Sequence, residues 1–356
     1  MRPKQYNFSS HEFDFGIEEE FFLVDSFGNP APVADRILKA LPASLLSHKI
    51  VYYEFHKSQI EINTGICEDI DDARRDLEFL RGLVLDAAKD FGVTPVGIGT
   101  HPTADWKISE LNPQYARNVV RRKQMEAYLT CGNHIHISLR AKDIVKVINA
   151  IRYYVPMVIP LAANSPFWIG KETGYQDYRL KVVEIAHTLD KRYAGLPPAL
   201  KNLKQWNKLY QSKDIPMYWD IRPNFKYGTM EVRFLDQQPS ITDIISLTTF
   251  VRLLTIGLTK RKIGIPYMKE SELLKLRSDA IKKGMSANFR RKSLREHAKI
   301  LYQKVMELSD YYTGDKKIFR PIAKKMKKNL AEEQLSIWKV LGPKKLIKNF
   351  SRRFMK

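Results

Sequence analysis

Two cysteines, Cys67 and Cys131, are all that this 356-residue chain contains. They stand alone, with no metal-type or redox-type spacing. A disulfide framework and a thiolate metal site are therefore not expected, and the chain reads as reduced and cytoplasmic. No apolar run approaches the length of a membrane span. The opening residues Met1-Arg2-Pro3-Lys4-Gln5-Tyr6-Asn7 lack the apolar stretch of a secretory signal. A Walker-type phosphate loop is missing, as is a dinucleotide-binding glycine pattern, so any nucleotide must be held another way. Internal repeats, low-complexity segments and long linkers are also missing. Length would allow two domains, but one domain over 1–356 is expected.

What is present is ordinary for a soluble globular chain: 44% hydrophobic, 28% charged and 11% aromatic residues. The net charge of +21 is not evenly spread. From Lys260 to Lys356 there are 28 lysines and arginines against 9 acids; residues 1–259 hold 32 against 30. The chain thus divides into a balanced part, about 12–258, and a basic part, about 260–356. Runs such as Lys324-Lys325-Met326-Lys327-Lys328 and Arg290-Arg291-Lys292 read as a solvated face of amphipathic helices. Contact with nucleic acid or a membrane surface is the open alternative, but no base-stacking aromatics accompany the lysines.

Periodicity gives a coarse map. Residues 12–24 read as a strand, with Phe13, Phe15, Ile17, Phe21 and Leu23 on one face. Glu19 breaks that face without a reason visible in the sequence. Ser26-Phe27-Gly28-Asn29-Pro30 is a turn. A short helix follows over 34–41, stopped by Pro42, then strands over 50–64. Asp69 opens a long helix to about Phe91, with Ala73, Leu77, Leu80, Val84 and Ala87/Ala88 as its buried stripe. A strand is expected over 93–99, a helix over 113–128 and a strand over 132–139. A helix from Asp143 through Ala163 should kink at Pro156 and Pro160. Residues 170–216 mix loop and helix. A hairpin turns at Lys226-Tyr227-Gly228, Asp243–Leu258 is an apolar helix, and 269–356 is helical. Strands alternating with long helices give an α+β protein with an antiparallel or mixed sheet.

Four of these segments place acids, histidines or arginines on alternate residues: Gly16-Ile17-Glu18-Glu19-Glu20, Ser58-Gln59-Ile60-Glu61, Gly132-Asn133-His134-Ile135-His136 and Met230-Glu231-Val232-Arg233. On strands, each pattern collects the polar groups on one face. A dry face carrying Glu18, Glu20, Glu61, His134, His136, Glu231 and Arg233 would be too costly unless cations and anions sit on it. Glu18 and Glu20 would lie about 7 Å apart along one strand, which suits two neighbouring ions. Glu61 and Glu231 could complete the shells, with His134 as a nitrogen ligand. The donors are mostly hard oxygens, so Mg²⁺ or Mn²⁺ is expected rather than Zn²⁺. Arg233 can face a phosphate or a carboxylate bidentately. Arg179 and Arg222 are further candidate anion ligands. His101 could be a turn residue or a substrate contact. Asn164, in Asn164-Ser165-Pro166-Phe167-Trp168, could line a pocket or cap a helix. Cys131 reads as a packed thiol and not as a nucleophile.

The same segments, taken in order with Gly99-Thr100-His101-Pro102, Ala163–Trp168 and Tyr218–Pro223, resemble the carboxylate–amine ligase family that contains type 2 glutamate–cysteine ligases. The resemblance spans roughly residues 14–240. It implies a glutamine-synthetase-like fold, a curved antiparallel sheet with helices on its outer face. It also implies ATP and Mg²⁺, with Glu18, Glu20, Glu61 and Glu231 as metal ligands. His134 would be a ligand or phosphate contact and Arg233 an anion contact. Glu54 occupies the place of another acid, although its parity opposes that of Glu61, so a bulge or bend is needed. The C-terminal third departs from the pattern: where members often carry an Asn-Arg-Trp-like segment, this chain has Glu270–Arg277. The expected activity is ATP-dependent amide formation between a small-molecule carboxylate, by resemblance the γ-carboxylate of glutamate, and an amine, through an acyl phosphate. A homo-oligomer is compatible with this. A phosphotransferase of the same fold and a non-catalytic polyanion-binding protein are the alternatives.

Overall fold

A computed structural model describes residues 12–113, 128–186, 194–211, 218–312 and 315–356. The helix expected over 113–128 falls almost wholly outside these ranges. Among the described residues, the main sheet has seven strands: β1 (Phe15–Val24), β2 (Val51–Tyr53), β3 (Gln59–Asn63), β4 (Thr94–Val96), β5 (Gly132–Ser138), β6 (Ile221–Asn224) and β7 (Thr229–Asp236). They run in the order β6-β7-β5-β1-β3-β2, and β4 pairs with the end of β1 that β5 leaves free. Every pairing in this sheet is antiparallel. The fold is α+β, as the alternating strand patterns require.

The period of two decides which side of the sheet is dry. Phe15, Ile17, Phe21 and Leu23 of β1 join Ile60, Ile62, Ile135, Ile137, Met230 and Val232 in one core. Helices Ile70–Lys89, Ala141–Ile151 and Ile241–Thr259 cover that side. The first starts where expected: Asp69 accepts hydrogen bonds from the Asp71 and Asp72 amides at 2.9 Å, and Asp72 closes the capping box. The expected helix 143–163 is two helices, Ala141–Ile151 and Val155–Ala162, bent by 75°. Pro156 opens the second helix instead of kinking a continuous one, because it needs no amide partner there; Pro160 lies inside the second helix. Helix Ile241–Thr259 is long and apolar enough to cross a membrane, which corrects the expectation that no run approaches a span. It is apolar all round because it is the central core helix, buried along most of its length.

Glu19, unexplained by periodicity, has its account here. It is fully buried on the dry side and accepts a two-pronged ion pair from Arg81, with Nε to Oε2 at 2.9 Å and Nη2 to Oε1 at 2.5 Å. Gln237 adds a hydrogen bond at 3.0 Å. Arg81 also donates to the Phe354 carbonyl at 2.5 Å and lies over the Phe354 ring. One buried pair therefore ties β1, the long helix and the C-terminal segment together.

The basic part is not merely a solvated face. Phe319, Ile322, Met326 and Phe354 enter the main core, and Leu330, Leu346, Ile347 and Phe350 pack with Phe22 and Val96. Lys325 corrects the reading of its run: it is buried, 3.1 Å from Asp243 Oδ1, and donates to Gln238 Oε1 at 2.6 Å. Lys324, Lys327 and Lys328 are exposed.

Candidate active site

The opposite side of the sheet carries the charge. Strand register places Arg222 beside Glu231, Glu231 beside His136, His134 beside Glu18, Glu18 beside Asn63, and Glu20 beside Glu61. Paired residues share a face, so all of these project to one side. Glu54 joins them. The chain reverses between β2 and β3, so Tyr52, not Glu54, is the partner of Glu61. Glu54 lies two residues beyond Tyr52 and keeps to the same side. The parity conflict came from reading 50–64 without that reversal.

The polar side is a two-lobed cavity. An inner lobe of about 280 Å³ is lined by Glu18, Glu20, Glu54, Glu61, His134, Arg179, Arg222 and Arg233, with Tyr128, Tyr218 and Asp220. An outer lobe of about 810 Å³ shares Glu18, Glu54 and Glu61, and adds His136, Lys49, Tyr52, Tyr53, Asn63 and Tyr227. Of the residues singled out in the sequence, His101, Asn164 and Glu231 line neither lobe; Glu231 lies buried behind Arg222 and Arg233, whereas His101 and Asn164 are held by loops away from the cavity, which corrects their reading as substrate contacts. His101 is a buried turn fastener: Nε2 lies 3.0 Å from the Gly28 carbonyl, and Nδ1 accepts from the Ala104 amide at 3.1 Å. Burial pushes its pKa down to about 4. Asn164 is buried, donating to the Gly97 and Gln237 carbonyls and accepting from Gln334. The tyrosines, Lys49, Asn63 and Asp220 were missed. Tyr52 could have been found from its pairing with Glu61, but only with β2 and β3 separated.

The electrostatics fall into two groups. Glu18, His134 and Glu231 can each direct one ligand atom to a common point, and so can Glu20, Glu54 and Glu61. In the first group, His134 Nδ1 lies 3.2 Å from Glu18 Oε2, and His136 Nε2 lies 3.0 Å from Glu18 Oε1. Burial works against ionised Glu18, but the two histidines outweigh it and hold its carboxyl well below the usual range. Glu231 is buried and also held low. Arg222 grips it with two hydrogen bonds at 2.8 and 2.9 Å, Arg233 bonds its Oε1, and Asn224 donates at 3.0 Å. Burial and the Arg233 charge push His134 down; His136 is raised, because Glu18 and Glu231 outweigh its burial.

The second group has no such cations within it. Burial and the neighbouring Glu18 and Glu20 charges push Glu61 up to about 7, although Asn63 donates to it at 2.7 Å. Glu54 is also raised well above the usual range, by burial and by the Glu20 and Glu61 charges. Three crowded carboxylates, two of them, Glu54 and Glu61, with raised affinity for protons, fit a divalent cation held by hard oxygen donors. Arg179 closes the inner lobe. Its Nη2 donates to the Arg233 and Leu235 carbonyls at 2.8 and 3.1 Å, where β7 slips register against β5. Gly132 makes room for this: a Cβ there would collide with the Arg179 guanidinium and the His134 ring. Cys131 is buried, accepts a hydrogen bond from Gln59 at 3.3 Å, and has its thiol pushed up by burial.

The sheet and its helices form a class of fold shared with solved structures of a glutathione synthetase and a glutamate–cysteine ligase. A bifunctional glutathione synthetase from Pasteurella multocida superposes with a TM-score of 0.72 at 13% identity, over 97% of this chain and 52% of that one. A glutamate–cysteine ligase from Francisella tularensis, solved in complex with AMP, gives 0.67 at 14% identity over 98% and 89%. The sequence is more specific. The model of glutamate–cysteine ligase family 2 matches residues 14–308, and the chain belongs to that family of ligases. A protein of Jannaschia sp. (strain CCS1) named "Putative glutamate--cysteine ligase 2" is 34% identical over 260 residues, 70% of this chain and 67% of its own. One of the same name from Paracoccus denitrificans (strain Pd 1222) is 30% identical over 68% and 66%. The matches thus span about two thirds of these relatives' length.

Proposed function

We propose that the protein is an ATP- and Mg²⁺-dependent carboxylate–amine ligase that forms a γ-glutamyl amide through an acyl phosphate. The observation that carries this reading is the pairing of two ligating groups, Glu18/His134/Glu231 and Glu20/Glu54/Glu61, at a cavity lined by three arginines, with Glu231 buried directly behind its wall. The two ligating groups would hold divalent cations, which when bound would supply neutralisation of phosphate charge. The chain's own residues do the rest. Arg222 and Arg233 hold Glu231 ionised and place positive charge on the wall of the inner lobe, where it would favour an anion. Arg179 is fixed by two carbonyls, so it can meet a carboxylate or phosphate with little reorganisation. Tyr128 and Tyr218, joined hydroxyl to hydroxyl at 2.7 Å, form part of the inner wall.

The chemistry is two displacements. A carboxylate oxygen of glutamate attacks the γ-phosphorus, the bond to the β-bridging oxygen breaks, and ADP leaves. The amine nitrogen then attacks the acyl carbon, the carbon–oxygen bond to phosphate breaks, and the amine loses one proton. Positioning and charge neutralisation supply most of the acceleration. The test is phosphate release from ATP with Mg²⁺, glutamate and a panel of amines beginning with cysteine. Release that needs both glutamate and an amine, with an amide product, supports the reading. A stable phosphorylated product formed without amine would mark a phosphotransferase instead.

A further inference from the structure

Among the described residues, the inner lobe has one acid that belongs to neither ligating group. Asp220 lies between strand Tyr218–Trp219 and β6, lines the lobe with Arg222 and Arg233, and is 1% exposed. Its backbone is part of the frame: its carbonyl accepts from the Arg233 amide at 2.8 Å, and its amide donates to the Gly195 carbonyl at 2.8 Å. Its carboxylate is gripped from behind by Arg277 of helix Glu270–Lys283, with Nε to Oδ2 at 2.5 Å and Nη2 to Oδ1 at 2.7 Å. The third nitrogen of the fork, Nη1, pairs with Glu184. Arg277 is itself buried and does not line the lobe. Through it the basic part reaches a residue of the inner lobe, from a segment whose net charge alone suggested only a solvated face.

We propose that Arg277 is a positioning residue for anion binding: by neutralising Asp220 from outside the cavity, it keeps a buried carboxylate from competing with substrate anions for Arg222 and Arg233. The inference rests on the proposed role of those arginines. A buried carboxylate deprived of its partner would turn to a neighbouring cation or repel incoming phosphate. Either response weakens anion binding without touching a metal ligand. The planar fork matters as well as the charge, because both Asp220 oxygens are engaged at once and Asp220 can then rotate toward neither arginine.

The experiment measures Mg·ATP and L-glutamate binding by calorimetry, and steady-state KM and kcat, for the wild type, Arg277→Met, Arg277→Lys and the pair Asp220→Asn/Arg277→Met. Arg277→Met should weaken one or both anions about 10- to 100-fold, the size of an uncompensated charge nearby at an effective dielectric near 20. The effect should fall on KM more than on kcat. Arg277→Lys should lie between Arg277→Met and the wild type. The double variant should recover most of the lost affinity, since the amide removes the charge that needed neutralising. A packing role predicts the opposite, with the double variant no better than Arg277→Met. That result, or unchanged affinity in folded Arg277→Met, overturns the proposal. Should Arg277→Met fail to fold, Arg277→Gln replaces it in the same comparison. If the wild type binds neither anion, the functional reading itself fails, and with it the premise of this inference.

Discussion

Glu19 and Glu61 are both acids on the main sheet, and they sit on opposite sides of it. Glu19 is the more deeply buried, yet its oxygens are matched by the Arg81 fork and the Gln237 amide. Glu61 accepts from Asn63 but has no cation against it among the described residues, and burial with the Glu18 and Glu20 charges raises its pKa to about 7. Burial alone does not separate structure from function here. The distinction is whether the protein supplies the counter-charge. Glu19, so matched, is part of the frame; around Glu61, where acids crowd without a matching cation, an external cation would complete them.

The comparison breaks first at the acids assigned to ligating groups. Glu18→Ala or Glu231→Ala should lower ligase turnover by at least about 100-fold, the loss typical of removing one preorganised electrostatic contact in a site. Circular dichroism should show the fold intact. Full activity in either folded variant would remove the basis for the proposed site.

Glu19→Gln, one residue away, should do the reverse. It leaves the Arg81 charge buried and uncompensated, which costs about 3–5 kcal/mol. Urea unfolding should show that loss, while folded molecules keep their turnover. If Glu19→Gln were instead stable and inactive, the division between the two sides of β1 would be mistaken.

Much of this division was legible in the sequence, and the reasons are local. Alternation on β1, β3, β5 and β7 set the polar face, because a strand's side chains have a fixed period of two. Glu19 looked like an exception since its partner, Arg81, is 62 residues away on a helix. His101 and Asn164 misled because a buried polar side chain that satisfies a loop looks, in sequence, like one that waits for a ligand. Lys325 misled similarly: its partners Gln238 and Asp243 are near in space only. Glu54 was placed by resemblance, and its apparent parity conflict vanished once the chain reversal between β2 and β3 was seen.

Glu61 gives the comparison a pH signature. Its folded pKa, about 7, lies above its unfolded value near 4.5. The folded state therefore binds the proton more tightly. Its contribution is favourable below the unfolded pKa and is lost as pH rises through the folded one. In the metal-free protein, Glu61→Gln should melt higher than the wild type at pH 8, and the gap should shrink toward pH 5. Saturating Mg²⁺ should favour the wild type by binding its folded state. A gap independent of pH would mean that Glu61 already has its counter-charge within the protein.

The smallest effects separate two kinds of lysine in one run. Lys325 is buried between Asp243 and Gln238, and burial lowers its pKa although Asp243 opposes the shift. Lys325→Met removes the cation but leaves Asp243 in the first turn of the central helix with the Ser240 hydroxyl, at 2.5 Å, and the more distant Arg353 charge to hold it. A loss of about 1–3 kcal/mol is expected, less than for Glu19→Gln because Asp243 keeps these partners. Lys324, Lys327 and Lys328 are exposed, and Lys328 reaches only the Ser336 hydroxyl, at 2.8 Å. Changing these three to Gln should alter stability by no more than about 0.5 kcal/mol each. Turnover with saturating substrates should also hold, because exposed charges beyond a Debye length of about 8 Å are largely screened at physiological salt. Urea midpoints and kcat, measured side by side for Lys325→Met and for the triple variant, check both halves. A triple variant that folds but turns over slowly would bring the surface lysines to the site, and the separation drawn from burial would fail at its most exposed point.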